Sequence, residues 1–129
     1  MIHRWSVVAG ASGALGRAIV ERLLDRGVGV VAVGRTEGPL LELSGGRPEV
    51  IPCVADITTD AGAGAIAGAI PGPVGMVVNS AAAPMGGGIL DVAPEVLSAA
   101  VDVKVNGTLR LVRAAMEQMS ADSRVVAIG

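Results

Sequence analysis

Val7-Val8-Ala9-Gly10-Ala11-Ser12-Gly13-Ala14-Leu15-Gly16-Arg17 is the stretch on which the fold turns. A short apolar run stops at a glycine-rich turn, and an amphipathic helical pattern begins at once. The glycines at Gly10, Gly13 and Gly16 make a GxxGxxG spacing in a chain that holds 19 glycines, so the spacing alone says little. Its position between a strand and a helix says more. That arrangement is how a chain cradles a dinucleotide pyrophosphate: the turn exposes N–H groups, and the positive end of the new helix faces the phosphates. Gly10 permits the tight turn, Gly13 lets a phosphate approach the backbone, and Gly16 lets the helix pack on its strand.

Outward from this turn, strands and helices alternate. Trp5–Ala9 is the first strand. Residues 14–26 carry Leu15, Ala18, Ile19, Leu23 and Leu24 at helical spacing, and Gly27 ends that helix. Val28–Val33 is a buried strand, Gly38–Ser44 a short helix and Val50–Val54 a third strand. Thr58–Ile70 reads as an Ala-rich helix interrupted by glycine, stopped by Pro71-Gly72-Pro73. Val74–Val78 is the fourth strand and residues 81–92 a Gly/Pro loop. Pro94 opens a long helix to about Met119, with a break expected near Asn106-Gly107, and Ser123–Ile128 is the fifth strand. Five such strands predict a doubly wound parallel α/β sheet of the Rossmann type, too apolar for any strand to keep a solvated face.

Composition narrows the function. The 129 residues suit one domain spanning residues 1–129. Mean hydropathy is +0.62, yet no apolar run approaches the ~20 residues of a membrane span. Met1-Ile2-His3-Arg4-Trp5 leads straight into a strand, so no signal peptide is expected. Net charge is −2, with a single aromatic residue, Trp5, which leaves nucleic-acid binding without support. Cys53 is the sole cysteine and His3 the sole histidine. Neither a disulfide nor a metal site is expected, and the chain reads as cytoplasmic.

The second strand ends in Gly34-Arg35, nineteen residues after Gly16, with no acid in the strand. An acid there would accept from the ribose 2′-OH of NAD, whereas a guanidinium suits the 2′-phosphate of NADP. NADP(H) is therefore expected over NAD(H); the alternative is an ordinary exposed arginine.

These residues resemble the short-chain dehydrogenase/reductase family, and the similarity runs the length of the chain. Ala9 to Gly16 looks like the family's TGxxxGxG loop, with Ala9 in place of its threonine and Ala14 where the middle glycine usually is. Asp56-Ile57 looks like the Asp-Val pair at the adenine, where the carboxylate accepts from the exocyclic amine; the plainer role for Asp56, an N-terminal cap on the next helix, is compatible with it. Asn79-Ser80-Ala81-Ala82 resembles the NNAG motif, whose backbone lines the nicotinamide ribose, with Asn79 tying neighbouring strands together. The resemblance implies a strand order 3-2-1-4-5. It implies cofactor contacts from Gly10, Ser12, Gly13, Ala14, Leu15, Gly16, Arg35, Asp56, Ile57, Asn79 and Ala81. It also implies hydride transfer to or from a small carbonyl or alcohol substrate.

The family's proton chemistry uses a serine after the fifth strand, a Tyr-x-x-x-Lys helix and a helical asparagine. This chain contains no tyrosine and ends at Gly129. It is thus expected to be a truncated cofactor-binding half, inactive alone, with Val125, Val126 and Ile128 on an open edge. Three residues before Gly107, where the asparagine would be, stands Lys104, which either takes that place or is a solvated lysine. Asn106 lies roughly 200° further round a helix. The loop from Ala83 to Leu90 is expected to border the site. Val105, Leu109, Val112 and Met116 recur at helical spacing on the 102–119 helix; most are read as covering this chain's own sheet, the other use being to pair two copies. Two other functions stay open: a non-catalytic NADP(H)-binding module or partner subunit, and an epimerase or dehydratase of the extended family. A P-loop domain is disfavoured, because GxxxxGK[ST] is missing.

Overall fold

The computed structural model describes residues 3–129. Met1 and Ile2, which open the run read as leading into the first strand, lie outside the described residues. The strands are β1 (Trp5–Ala9), β2 (Gly29–Gly34), β3 (Val50–Val54), β4 (Val74–Asn79) and β5 (Met119–Ala127). They form one parallel sheet in the order β3-β2-β1-β4-β5. The helices are α1 (Ala14–Asp25), α2 (Glu37–Ser44), α3 (Asp60–Ala69), α4 (Pro94–Val101) and α5 (Gly107–Ala115).

Alternation along the central strands divides the core in two. Val7, Ala9, Val31, Val33 and Val77 pack on one face with Ile66 of α3 and Leu111 and Ala115 of α5. Val8, Val30, Ala32 and Val78 pack on the other with Val20 of α1 and Leu40 and Leu43 of α2. Both faces of β1 and β2 are therefore covered, which is why their sequences are continuous apolar runs. Each fully buried valine contributes on the order of 1.5–3 kcal/mol.

The long helix is not continuous. A π-helical turn, Asp102–Asn106, lies between α4 and α5, and a 3₁₀ turn, Met116–Gln118, follows. The irregularity falls just ahead of the expected break and widens the helix rather than ending it. The sheet-facing stripe also differs from the expected one. Gly107, Leu111 and Ala115, four apart, face inward, while Val105, Leu109 and Met116 are exposed and Val112 is half-buried. Two apolar stripes run along this helix, and periodicity alone cannot choose between them.

Strand β5 departs from the expectation that no strand has a solvated face. It lies at the sheet edge with Val125 47% and Val126 39% exposed. It also starts earlier than expected. Val74 pairs with Met119 and Met76 with Arg124, so the residues between bow out of the ladder. Ser123 fastens the bow, its hydroxyl donating to the Val74 carbonyl (2.7 Å) and accepting from the Ser120 N–H (2.9 Å).

Helix α1 is tied to the end of α2 by Arg47, which meets Glu21 with both ends of its fork, at 2.8 and 3.1 Å. The same guanidinium donates to the Leu43 and Ser44 carbonyls, closing the C-terminus of α2. Arg47 holds the Glu21 carboxyl below its usual 4.5. Both side chains are well exposed, so solvent screening limits the pair. Glu21→Gln is expected to cost about 0.5–1 kcal/mol at neutral pH. A folded-state pKa below the unfolded one means that this contribution exists above the usual carboxylate range and disappears as pH falls through the folded value. Urea midpoints of the parent and Glu21→Gln should therefore differ at neutral pH and converge in acid.

Candidate functional site

The chain reverses its winding at β1: β2 and β3 lie to one side of it, β4 and β5 to the other. Loops leaving the C-terminal ends of β1 and β4 diverge there and leave a crevice. A cavity of about 560 Å3 occupies it. Its walls are Ala9, Gly10, Ser12 and Gly13 from the first turn, Val33–Arg35 after β2, Ala55–Thr58 after β3, and Ser80–Pro84 after β4. Ala99, Asp102 and Val103 close it from α4 and the π turn. This volume lies within the range of small-molecule and cofactor pockets.

Backbone packing shapes the first turn. Gly10 has φ +72°, and a Cβ there would lie 2.6 Å from the Ala81 nitrogen, so only glycine fits. A Cβ at Gly16 would collide with the Gly10 carbonyl, which explains its burial at the start of α1. The turn is held by the Gly10 N–H on the Val33 carbonyl (3.0 Å) and the Gly13 N–H on the Gly10 carbonyl (3.2 Å). No side chain caps α1, and its first turn carries no acid. By contrast, α3 is capped by Thr59 and has Asp60 in its first turn. The opening amides of α1 are thus left for an anion. Arg17, just beyond, turns back and donates through Nε to the Ser12 carbonyl (2.9 Å).

Arg35 is exposed on the cleft wall directly after β2. Asp56 stands after β3. Its Oδ1 accepts from the Thr58 hydroxyl (2.7 Å) and the Thr58 N–H (2.9 Å). Those bonds hold the carboxyl below its usual range against a desolvation that raises it, with Arg35 and Arg110 adding to the lowering. The helix that follows is capped by Thr59, whose hydroxyl accepts from the Gly62 N–H (3.0 Å). Asp56 is therefore not the cap of α3, and α3 begins at Asp60 rather than Thr58, because Asp56 to Thr59 are spent on this side-chain-bonded turn.

Asn79 lies beneath the cleft rather than on its wall, 1% exposed. Its backbone pairs with Ala9 of β1 and Ala127 of β5, while its side chain reaches to the helix and the following loop rather than to another strand. Its amide donates to the Val103 carbonyl (3.0 Å) and to the Thr108 hydroxyl (2.9 Å), and its Oδ1 accepts from the Ala81 N–H (3.1 Å). Thr108 in turn donates to the Lys104 carbonyl (2.6 Å). A π turn displaces carbonyls from their helical partners, and Asn79 and Thr108 supply the missing donors.

The remaining candidates separate. Ser12, Gly13, Ile57 and Ala81 line the cleft, whereas Ala14 and Leu15 are exposed at the start of α1 outside it. Lys104 is not a wall residue; it is half-buried, and burial pushes its ammonium pKa down. Asn106 faces outward and donates to the Asp102 carboxylate (2.6 Å). Of the loop from Ala83 to Leu90, only Ala83 and Pro84 reach the cleft, and Ile89 and Leu90 are 94% exposed. Thr58, Ser80, Asp102 and Thr108 carry structural bonds or wall positions that sequence reading did not single out. Only the Thr-rich run after Asp56 could have signalled one of them. Among the described residues no group of three His, Cys, Asp or Glu side chains could hold a metal. Among the described residues no helix is long and apolar enough to cross a membrane.

A parallel sheet wound in this order, with a glycine turn and an uncapped helix at its reversal point, defines a Rossmann-type dinucleotide-binding fold. The family model for short chain dehydrogenases matches residues 4–129, and the chain belongs to that family of oxidoreductases. An uncharacterized oxidoreductase of Staphylococcus epidermidis is 31% identical over 122 residues, covering 92% of this chain and 53% of the relative. A pig protein named carbonyl reductase [NADPH] 2 is 32% identical over 110 residues, covering 82% of this chain and 43% of the relative. The chain thus spans about half the length of these curated relatives. A solved Serratia marcescens short-chain dehydrogenase/reductase variant shares the fold with a TM-score of 0.86 at 24% identity, covering 99% of this chain and 56% of that one.

Asn79→Ala removes the three hydrogen bonds of a buried side chain and takes a donor away from the Val103 carbonyl. It should lower stability by about 2–3 kcal/mol, with Thr108→Val costing about half as much. Urea denaturation of both variants checks this.

Proposed function

We propose that the cleft binds NADP(H) in preference to NAD(H). We further propose that this chain is the cofactor-binding half of an oxidoreductase acting on a small carbonyl or alcohol compound. The observation that carries this is Arg35. It stands on the cleft wall where β2 ends in Val33-Gly34, and no acid lies in that strand. A guanidinium at that place suits a 2′-phosphate and offers nothing special to a 2′-hydroxyl.

The rest of the cleft fits the same ligand. The uncapped, acid-free start of α1 suits a pyrophosphate, with Gly10, Ser12 and Gly13 beside it. The Asp56 carboxylate, kept ionised by Thr58, suits an exocyclic amine of adenine, next to Ile57. Ala81 and the residues after β4 would line the nicotinamide end. When bound, the nicotinamide supplies or takes a hydride; this chain's residues bind and orient it. The pig relative's name specifies NADPH, which agrees with Arg35.

No tyrosine is present in the 129 residues, so the phenol that the family uses for proton transfer is not among them. In this reading Lys104 stands at the position of the family's helical asparagine, behind the cleft wall rather than on it. The exposed Val105, Leu109 and Met116 support pairing of two copies through the helix. The lone, buried Cys53 accords with a cytoplasmic protein.

Fluorescence titration with NADPH and NADH tests the preference. NADPH should bind about tenfold or more tightly than NADH, and Arg35→Ala should erase most of that difference. Equal affinities, unchanged by Arg35→Ala, would overturn the assignment.

A further inference from the structure

We infer that the Ser80 hydroxyl is the latch that fixes the glycine-rich turn against the end of β4, which makes Ser80 a positioning residue for the cleft. Its bearing on the cofactor rests on the NADP(H) reading above.

Strands β1 and β4 pair in parallel as far as Ala9 and Asn79. Beyond that point they must part, because β1 enters the turn at Gly10 and β4 enters the loop at Ser80. Ordinary pairing supplies one bond at the fork, from the Ser80 N–H to the Ala9 carbonyl (3.0 Å). The Ser80 hydroxyl adds a second on the same oxygen, at 2.6 Å, and lies 3.5 Å from the Gly10 carbonyl. A carbonyl oxygen has two lone pairs, so both bonds can form at once.

Doubling the bonds on the Ala9 carbonyl fixes the peptide plane that leads into Gly10. That is the residue whose φ of +72° starts the turn. On the opposite side, the Gly10 and Ala11 N–H groups both donate to the Val33 carbonyl (3.0 and 3.3 Å). The turn is therefore gripped by β2 through its N–H groups and by Ser80 through its carbonyl. There is no slack between the grips, since a Cβ at Gly10 would lie 2.6 to 2.7 Å from Ser80 and Ala81 backbone atoms. Gly10, Ser80 and Ala81 all face the cleft. A shift of the turn would alter the cleft itself.

The sequence adds an independent observation. Position 9, where the family's loop carries threonine, is alanine here, so the end of β1 brings no hydroxyl to the fork. Position 80, asparagine in the motif it resembles, is serine. The hydroxyl at this junction comes from the first residue after β4.

The test combines NADPH titration with amide hydrogen exchange on the full chain, comparing the parent, Ser80→Ala and Ser80→Thr. Ser80→Ala should weaken NADPH binding about three- to tenfold, the value of one hydrogen bond. It should also speed exchange at Gly10 and Ala11 while leaving core amides such as Val31 and Val77 unchanged. Ser80→Thr, which keeps the hydroxyl, should behave as the parent. Unchanged exchange at the turn in Ser80→Ala, or acceleration spread evenly through the core, overturns the latch. If the parent binds no NADPH, the reading of the cleft falls, and the exchange pattern alone decides the latch.

Discussion

Everything near the cleft depends on backbone meeting backbone at the C-terminal end of β1. Gly10 lies against Ala81, and Gly16 lies against the Gly10 carbonyl, both too close to admit a Cβ. These contacts join three elements at one point: β1, the loop after β4 and the first turn of α1. Atoms without side chains form the junction, so they cannot adjust by changing rotamer. The helix must start where it does, and its unpaired amides must point where they do.

The sheet order opens a cleft at that junction. With β1 central, chains leaving β1 and β4 turn to opposite faces, and the space between them stays open. Neighbouring strands then deliver one chemically distinct group each. The end of β2 brings a guanidinium, Arg35, and the end of β3 a carboxylate, Asp56. Arg35 favours the ionised form of Asp56, though less than the two Thr58 hydrogen bonds do. The lowering of the Asp56 pKa is thus due mainly to its own turn.

Strands β1 to β4 were legible because buried parallel strands are short, β-branched runs bounded by turn residues, and Val30-Val31-Ala32-Val33 or Val7-Val8-Ala9 fit no other description. The positions of Gly10, Arg35 and Asp56 on one cleft followed from that order. What stayed hidden were features set by tertiary partners. In the π turn at Asp102–Asn106 the Val103 and Lys104 carbonyls accept from the side chains of Asn79 and Thr108, and no local pattern announces that arrangement. The stripe of α5 that faces the sheet includes Gly107, whose missing side chain makes room for Ile57, a fit that periodicity does not reveal. Asp56 and Thr59 are both good caps, and only the fold shows that Thr59 takes that role.

The three glycines of the GxxGxxG spacing are not equivalent. Gly10 needs positive φ and Gly16 needs empty space, both demanded by the chain's own atoms. Gly13 needs neither. Its φ of −73° and ψ of 168° suit any residue, and a Cβ there would meet only the Gly10 carbonyl, at an ordinary 3.5 Å. Ala14, where the family usually has glycine, occupies a regular position in the first turn of α1. Alanine there favours the helix over glycine by about 1 kcal/mol. The departure at 14 therefore costs the fold nothing, and a requirement for glycine at 13 could come only from a ligand approaching the turn. The fold thus constrains two residues of the motif, Gly10 and Gly16, and leaves Gly13 to the proposed cofactor.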